Sequence, residues 1–195
     1  MAAILISSGI VSAQKVKVTK GDLKFLKGQT QLNVEYVYDG MTVGRKQTEA
    51  DYIKEKTEDA DKKEKGKGQV WLDGWKGARE KRYQPHFEEL MNKQLEKAGI
   101  TTKSGNSGAK YTVILTTTKT EPGYNIGISK MPAYCDFRVE VVETANKSGI
   151  IYSANAFNAP GSQFGGYDFD VGSRVAESYE KMGKTLGGLI AKAVK

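Results

Sequence analysis

Between Phe137 and Phe157 apolar and polar residues alternate in the rhythm of an extended strand. Phe137, Val139 and Val141 sit two apart and so share one face. The run Ile150–Phe157 answers it across Ala145-Asn146-Lys147-Ser148-Gly149, where Asn and Gly accept the positive backbone angles of a reversal. A β-hairpin of Phe137–Glu143 and Ile150–Phe157 is predicted. Tyr111–Thr118, rich in β-branched residues, is expected to pair beside it. Val175, Tyr179, Met182, Leu186, Ile190 and Val194 then recur at three- and four-residue steps, which predicts a closing helix with one apolar stripe to lay on that sheet.

The first half is less regular. Lys15–Thr19 alternates and is expected as a first strand; Gly21-Asp22 turns the chain, and Leu23, Phe25 and Leu26 anchor it. Leu32, Val34, Tyr36 and Tyr38 alternate with Asn33, Glu35 and Val37, the pattern of a half-buried strand with a mostly polar outer face. Asp39-Gly40 ends it, and Met41-Thr42-Val43 reads as a brief return strand. Thr48-Glu49-Ala50-Asp51 carries the hydroxyl and carboxylate of a helix N-terminus. The stretch Asp51–Lys67 holds six acidic and six basic residues and almost nothing apolar beyond Tyr52 and Ile53, so it is expected as a solvated helix fraying at Gly66 and Gly68. Val70, Trp71, Leu72 and Trp75 open a second apolar patch, continued at helical spacing by Phe87, Leu90, Met91 and Leu95. Pro85 suits a first helical turn and costs ~3 kcal/mol inside a helix, so a break is expected near Gln84. Gly99-Ile100 stops that helix, and Thr101–Gly108 reads as a polar loop.

Two glycine-rich segments remain, Glu121–Tyr134 and Ala159–Asp170, both long for connections in a compact domain. Aromatic residues in such loops offer contact area at low entropic cost. Tyr124 and Asn125 in the first, with Phe164, Tyr167 and Phe169 in the second, are therefore the candidate partner-binding residues. Rings that fold back over the sheet are the competing expectation.

Length and charge narrow the class. A chain of 195 residues is the size of one domain with a real core. Thirty basic and 23 acidic residues give a net charge of +7, which can attract nucleic acid, anionic lipid or acidic polymers, but the excess is spread thinly and favours a merely basic, soluble surface. Residues 1–13 are uncharged and end in Val11-Ser12-Ala13 ahead of Gln14, the small-x-small pattern of signal peptidase cleavage. The basic residues that usually precede such a run are absent, as if the encoded start lay a few codons upstream. The run falls short of the ~20 apolar residues that span a bilayer. A signal peptide over 1–13 and a single α+β domain over 14–195 are expected, with a periplasmic or secreted location and no transmembrane segment in the mature chain. No cysteine follows the apolar run, so no lipid anchor is expected.

Candidate chemistry is sparse. Cys135 is the only cysteine, which excludes an intramolecular disulfide and a cysteine zinc site; it is expected in the core, and the only histidine, His86, would have to act as its base. Gly183-Lys184-Thr185 resembles the end of a phosphate-binding loop, but Ser178 stands where its first glycine belongs; Gly40–Gly44 and Ser104–Gly108 fail on spacing or ending. All three are assigned to turns or packing. Asp168 and Asp170 supply too few ligands for calcium, and Asp170 is expected to cap the helix starting near Gly172. Glu88 and Glu89, adjacent on a helix, point apart. Catalysis, a metal and a cofactor are not expected. Lys76, Arg79, Lys81 and Arg82 beside Trp71, Trp75 and Tyr83 combine phosphate partners with stacking rings. An amphipathic helix with a wet basic face explains them too, and an exported protein meets anionic glycolipid rather than nucleic acid. Lys76, Arg79 and Arg82 are accordingly the candidate anion contacts.

The strand Tyr111–Thr118, the crossover through Gly123 and Gly127, the hairpin Phe137–Phe157 with Thr144 and Gly149 near its turn, and the helix Val175–Val194 together resemble a unit found in small exported bacterial envelope proteins. It is similar to the N-terminal domain of the Tol–Pal translocation protein and the periplasmic domain of the curli secretion channel. The resemblance covers residues 105–195, about half of the chain, with Trp71, Trp75 and the helix Phe87–Leu95 placed like the helix that crosses the sheet in that group. It implies an accessory or binding role in the envelope; the residues themselves predict a mainly antiparallel sheet covered by the central and C-terminal helices. A non-catalytic protein binding another envelope component, protein or glycolipid, through its Gly/aromatic loops is the first expectation. An enzyme or carrier acting on an anionic envelope molecule is the alternative. The sequence leaves the oligomeric state open.

Overall fold

The computed structural model describes residues 14–45, 47–126, 128–161 and 170–195. The expected signal peptide, and with it Phe164, Tyr167, Asp168 and Phe169, lies outside the described residues. In chain order the elements are β1 (Lys15–Lys20), β2 (Gln31–Val37), β3 (Thr42–Val43), β4 (Gln47–Thr48), α1 (Glu49–Lys63), α2 (Lys67–Ala78), α3 (Gln84–Leu95), β5 (Thr101–Ser104), β6 (Tyr111–Glu121), β7 (Tyr124–Asn125), β8 (Lys130–Met131), β9 (Tyr134–Glu143), β10 (Asn146–Pro160) and α4 (Val171–Ala193).

The architecture is α+β. The expected hairpin is β9 paired antiparallel with β10, and β6 pairs antiparallel with the other side of β9. The reversal is tighter than the sequence suggested. Glu143 faces Asn146, so Thr144-Ala145 makes the turn, and the Asn146–Gly149 stretch enters β10 with a shift in register before Ile150. The sheet order is β1-β10-β9-β6-β2-β5. As expected it is mainly antiparallel, with a parallel part that the sequence did not announce: β2 runs parallel to both β6 and β5, and β3 runs parallel to β6. Parallel neighbours need a helical crossover, and α1 to α3 supply it between β2 and β5.

Two early expectations change for local reasons. Thr101–Ser104 is a strand, not a loop: Gly99 takes φ +66 and redirects the chain, and Asn92 on α3 grips Thr102, accepting its backbone N–H at 2.6 Å and donating to its carbonyl at 3.0 Å. The stretch after α1 does not fray. The Asp61 carboxylate accepts the N–H groups of Gly66 and Gly68 at 3.0 and 2.7 Å, and α2 starts at Lys67. The break expected near Gln84 takes the form of a widened turn over Arg79–Tyr83. There the N–H of Gln84 reaches five residues back to the carbonyl of Arg79, and Pro85 sits in the first turn of α3.

Helices α3 and α4 cover one face of the sheet. Phe87, Met91 and Leu95 from α3 meet Val175, Tyr179, Met182, Leu186 and Ile190 from α4 over Val113, Leu115, Phe137, Val139 and Val141. A fully buried aliphatic or aromatic side chain of this kind contributes ~1.5–3 kcal/mol. The string read in the sequence as packing rather than a phosphate loop is where the two helices touch. A Cβ on Gly183 would stand 2.1 Å from the Phe87 carbonyl oxygen, and one on Gly187 2.7 Å from that of Met91. A smaller cluster of Met41, Val43 and Trp75, with Tyr52 and Trp71 against it, seats α1 and α2.

Gly183→Ala is expected to lower stability by roughly 1–3 kcal/mol, because backbone must move to admit the methyl group. Gly188→Ala, which meets nothing within 4 Å, should leave stability unchanged or raise it by up to ~1 kcal/mol through helix propensity. Urea unfolding midpoints of the two variants against the parent check both.

Candidate functional site

The first glycine-rich connection folds into a small finger. Tyr124 pairs with Met131 and Asn125 with Lys130, so each pair shares a face of the two-stranded ribbon. At the tip the N–H of Ile126 donates to the Ser129 carbonyl at 3.0 Å, and the Tyr124 and Ser129 hydroxyls meet at 3.2 Å. The neck closes on Gly123, which has φ +59 and whose Cβ would lie 2.3 Å from the Met131 carbonyl oxygen. Arg174 on α4, only 2% exposed, holds the neck from below. Its Nε donates to the Pro122 carbonyl at 3.1 Å and its Nη2 to the Gly123 carbonyl at 3.3 Å. Above this support the side chains stay out in solvent. Ile128 is 97% exposed and Ile126 65%, with Tyr124 at 42% and Met131 at 38%.

The basic residues singled out in the sequence are spread over the α2–α3 junction. Lys76 is exposed on α2. The Arg79 guanidinium donates to the Glu49 carboxylate, which also accepts the indole N–H of Trp75 at 2.7 Å, and it lies 4.2 Å over the Tyr38 ring. Arg82 donates to the Asp170 carboxylate and to the Ser173 hydroxyl at 3.1 Å. Asp170 caps α4 as expected, accepting the Ser173 N–H at 2.9 Å. The trio is therefore not one patch. Of the three, Arg82 lines an open crevice of about 320 Å³, where Lys81 and Trp71 also stand beside Asp170 and Gly172. Trp71 stacks on Trp75 with ring centroids 5.7 Å apart.

The interior holds a thiol and several phenols. Tyr83 stacks on Tyr179 at 5.0 Å, and the Tyr179 hydroxyl meets that of Thr117 at 2.5 Å. Burial pushes the Cys135 thiol up to about 12 and holds Tyr83 and Tyr179 above the ordinary phenol range. Tyr36 is raised first by burial and then by the charge of Glu88, whose carboxylate accepts its hydroxyl at 3.1 Å. A thiol kept neutral is a poor nucleophile. His86 faces Glu180 at 3.7 Å on a half-exposed flank, and Cys135 is fully buried beside Thr120. Among the described residues, no group of three or more His, Cys, Asp or Glu side chains is placed to share a metal ion, and no helix is long and apolar enough to cross a membrane.

Sequence reasoning found Tyr124 and Asn125 on the finger but passed over Ile126, Ile128 and Arg174. Apolar residues in a glycine-rich loop were the available signal for the first two, and a lone arginine at the head of an apolar helical stripe for the third.

No protein-family model and no curated protein matches the chain. Among solved structures it is similar to the PelC dodecamer from Paraburkholderia phytofirmans, at 13% identity over 87% of this chain and 97% of that one, with a TM-score of 0.38. A point variant of the same PelC dodecamer matches at 14% identity, the same coverage and a TM-score of 0.39.

Two outcomes follow from these contacts. Arg174→Met removes the donors from the Pro122 and Gly123 carbonyls, and limited trypsin digestion should then cut after Lys130 several times faster. The buried phenols and thiol keep their protons in the folded chain and lose them in the unfolded one. Their stabilisation is complete below the ordinary thiol and phenol values of ~8.5 and ~10 and is lost as pH rises past them. Thermal midpoints measured from neutral to strongly alkaline pH should fall above about pH 9.

Proposed function

We propose that this chain is a non-catalytic exported protein of the cell envelope that binds another envelope component through its glycine-rich loops. The observation that carries the reading is the finger: four large apolar or aromatic side chains held out in solvent on a neck tied down by a buried arginine. Side chains left over from folding scatter singly, whereas a cluster on a supported projection marks a contact surface. Export rests on the uncharged first 13 residues and their Val11-Ser12-Ala13 ending. Tyr124 and Asn125 belong to the contact by position, and Phe164, Tyr167 and Phe169 by the composition of the second loop. The kinship with the Tol–Pal and curli-channel units stands as part of the same proposal, and nucleic acid is not among the partners proposed.

A second reading places an anionic envelope molecule in the crevice beside Trp71, with Lys81 and Arg82 as its cations. Arg82 already faces Asp170, so a ligand that takes Arg82 must displace that carboxylate. That requirement favours the finger.

The double variant Tyr124→Ser with Tyr167→Ser should recover several-fold less cross-linked material from envelope extract than the parent, with an unchanged far-UV spectrum. Equal recovery overturns the loop reading. Loss of capture in Lys81→Glu with the loops intact would transfer it to the crevice.

A further inference from the structure

We infer that the finger Tyr124–Met131 docks into the interface of an anionic lipid bilayer; this rests on the finger being the binding element. Shape is the first reason. The exposed apolar side chains crown a convex tip, with Ile128 almost wholly in solvent, and a convex apolar tip needs either a fitted pocket or a fluid that closes round it.

Size is the second. A stable protein interface buries about 800 Å² on each partner, far more than two strands of two residues and one turn present. A bilayer asks for no complementary surface, only for apolar side chains that reach below the headgroups.

Charge is the third. From Pro122 to Cys135 the chain has no acidic residue, Lys130 stands in the ribbon itself, and the chain as a whole carries +7. Lys119 stands by the root of the same loop, donating to the Tyr134 hydroxyl at 3.1 Å. Tyrosine and lysine behind an apolar tip are the side chains that rest at headgroup depth, one with a polar end on an apolar body and the other with a cation on an apolar stem. Ile126 and Ile128 enter the acyl boundary, Tyr124 stays at the headgroups, and the lysines meet lipid phosphates. Attraction of this kind weakens as salt screens it. Arg174 holds the neck through the Pro122 and Gly123 carbonyls, so the finger stands on a fixed support.

The test is co-sedimentation of the full chain with vesicles of phosphatidylcholine alone and of phosphatidylcholine mixed with phosphatidylglycerol, at low and at about 0.15 M salt. The parent should bind the mixed vesicles, more weakly in salt, and the neutral ones poorly. Ile128→Asp should lose about tenfold or more of that binding, and Lys130→Glu should lose the preference for phosphatidylglycerol. Because the Ile128 side chain is exposed, its variant should keep the parent's thermal midpoint. Ile128→Trp should shift its emission to the blue on mixing with the anionic vesicles. Absence of parent binding, equal binding to both vesicles, or an Ile128→Asp variant that binds like the parent overturns the inference. If vesicles fail while capture from envelope extract still depends on Tyr124, the partner is a protein: the lipid assignment falls and the loop reading survives.

Discussion

The close approach of α3 and α4 at Gly183 and Gly187 is the constraint on which the rest of the structure depends. With no side chain between them, the two helix backbones sit near enough for both to reach the same sheet face. Tyr179, Met182, Leu186 and Ile190 then meet strands on one flank and Phe87, Met91 and Leu95 on the other. Interiors are packed too tightly to absorb a methyl group at such a contact. The position of α4 also fixes what lies at its N-terminal end. Asp170 caps it while taking Arg82, and Arg174, one turn on, is carried under the finger. One packed helix thus supports the core, the crevice and the projection.

Charged residues divide into two populations. Around α2 they are engaged with each other: Arg79 with Glu49, Arg82 with Asp170. Pairs as exposed as the Arg82 one are worth ~0–1 kcal/mol, so their effect is on geometry more than stability. They orient the widened turn at Arg79–Tyr83 and keep the Trp75 indole facing Glu49. On the finger Lys130 sits beside apolar side chains, and no acidic residue stands between Glu121 at the neck and Asp136. Equal formal charge therefore has opposite consequences in the two places.

What could be read from the sequence follows from where the signal resides. The β9–β10 hairpin and α4 were legible because burial of one face imposes its period on neighbouring residues. The cap at Thr48, the cap at Asp170 and the stop at Gly99 were legible because each satisfies a local backbone need. β5 was missed because a short, polar, threonine-rich strand has no apolar rhythm; what makes it a strand is Asn92 on the preceding helix and a free edge on β2. Parallel pairing was invisible for the same reason. Pro85 announced an interruption, but its placement at Arg79–Tyr83 depends on Tyr83 stacking on Tyr179. At the candidate site Tyr124 and Asn125 were flagged by composition. The exposure of Ile126 and Ile128 was not, because it follows from the β7–β8 pairing and from the neck that Arg174 holds, contacts with no signature in the local composition.

The pairing of the first strand carries a consequence for how the molecule comes into being. Val16 lies opposite Ala156, 140 residues further along a chain of 195, so β1 has no sheet neighbour until β10 exists. Contacts this distant in sequence are entropically costly to close and slow to form. The outer rim of the sheet is consequently a late, whole-chain event, and a ribosome-bound fragment ending before β10 has nowhere to put its opening residues.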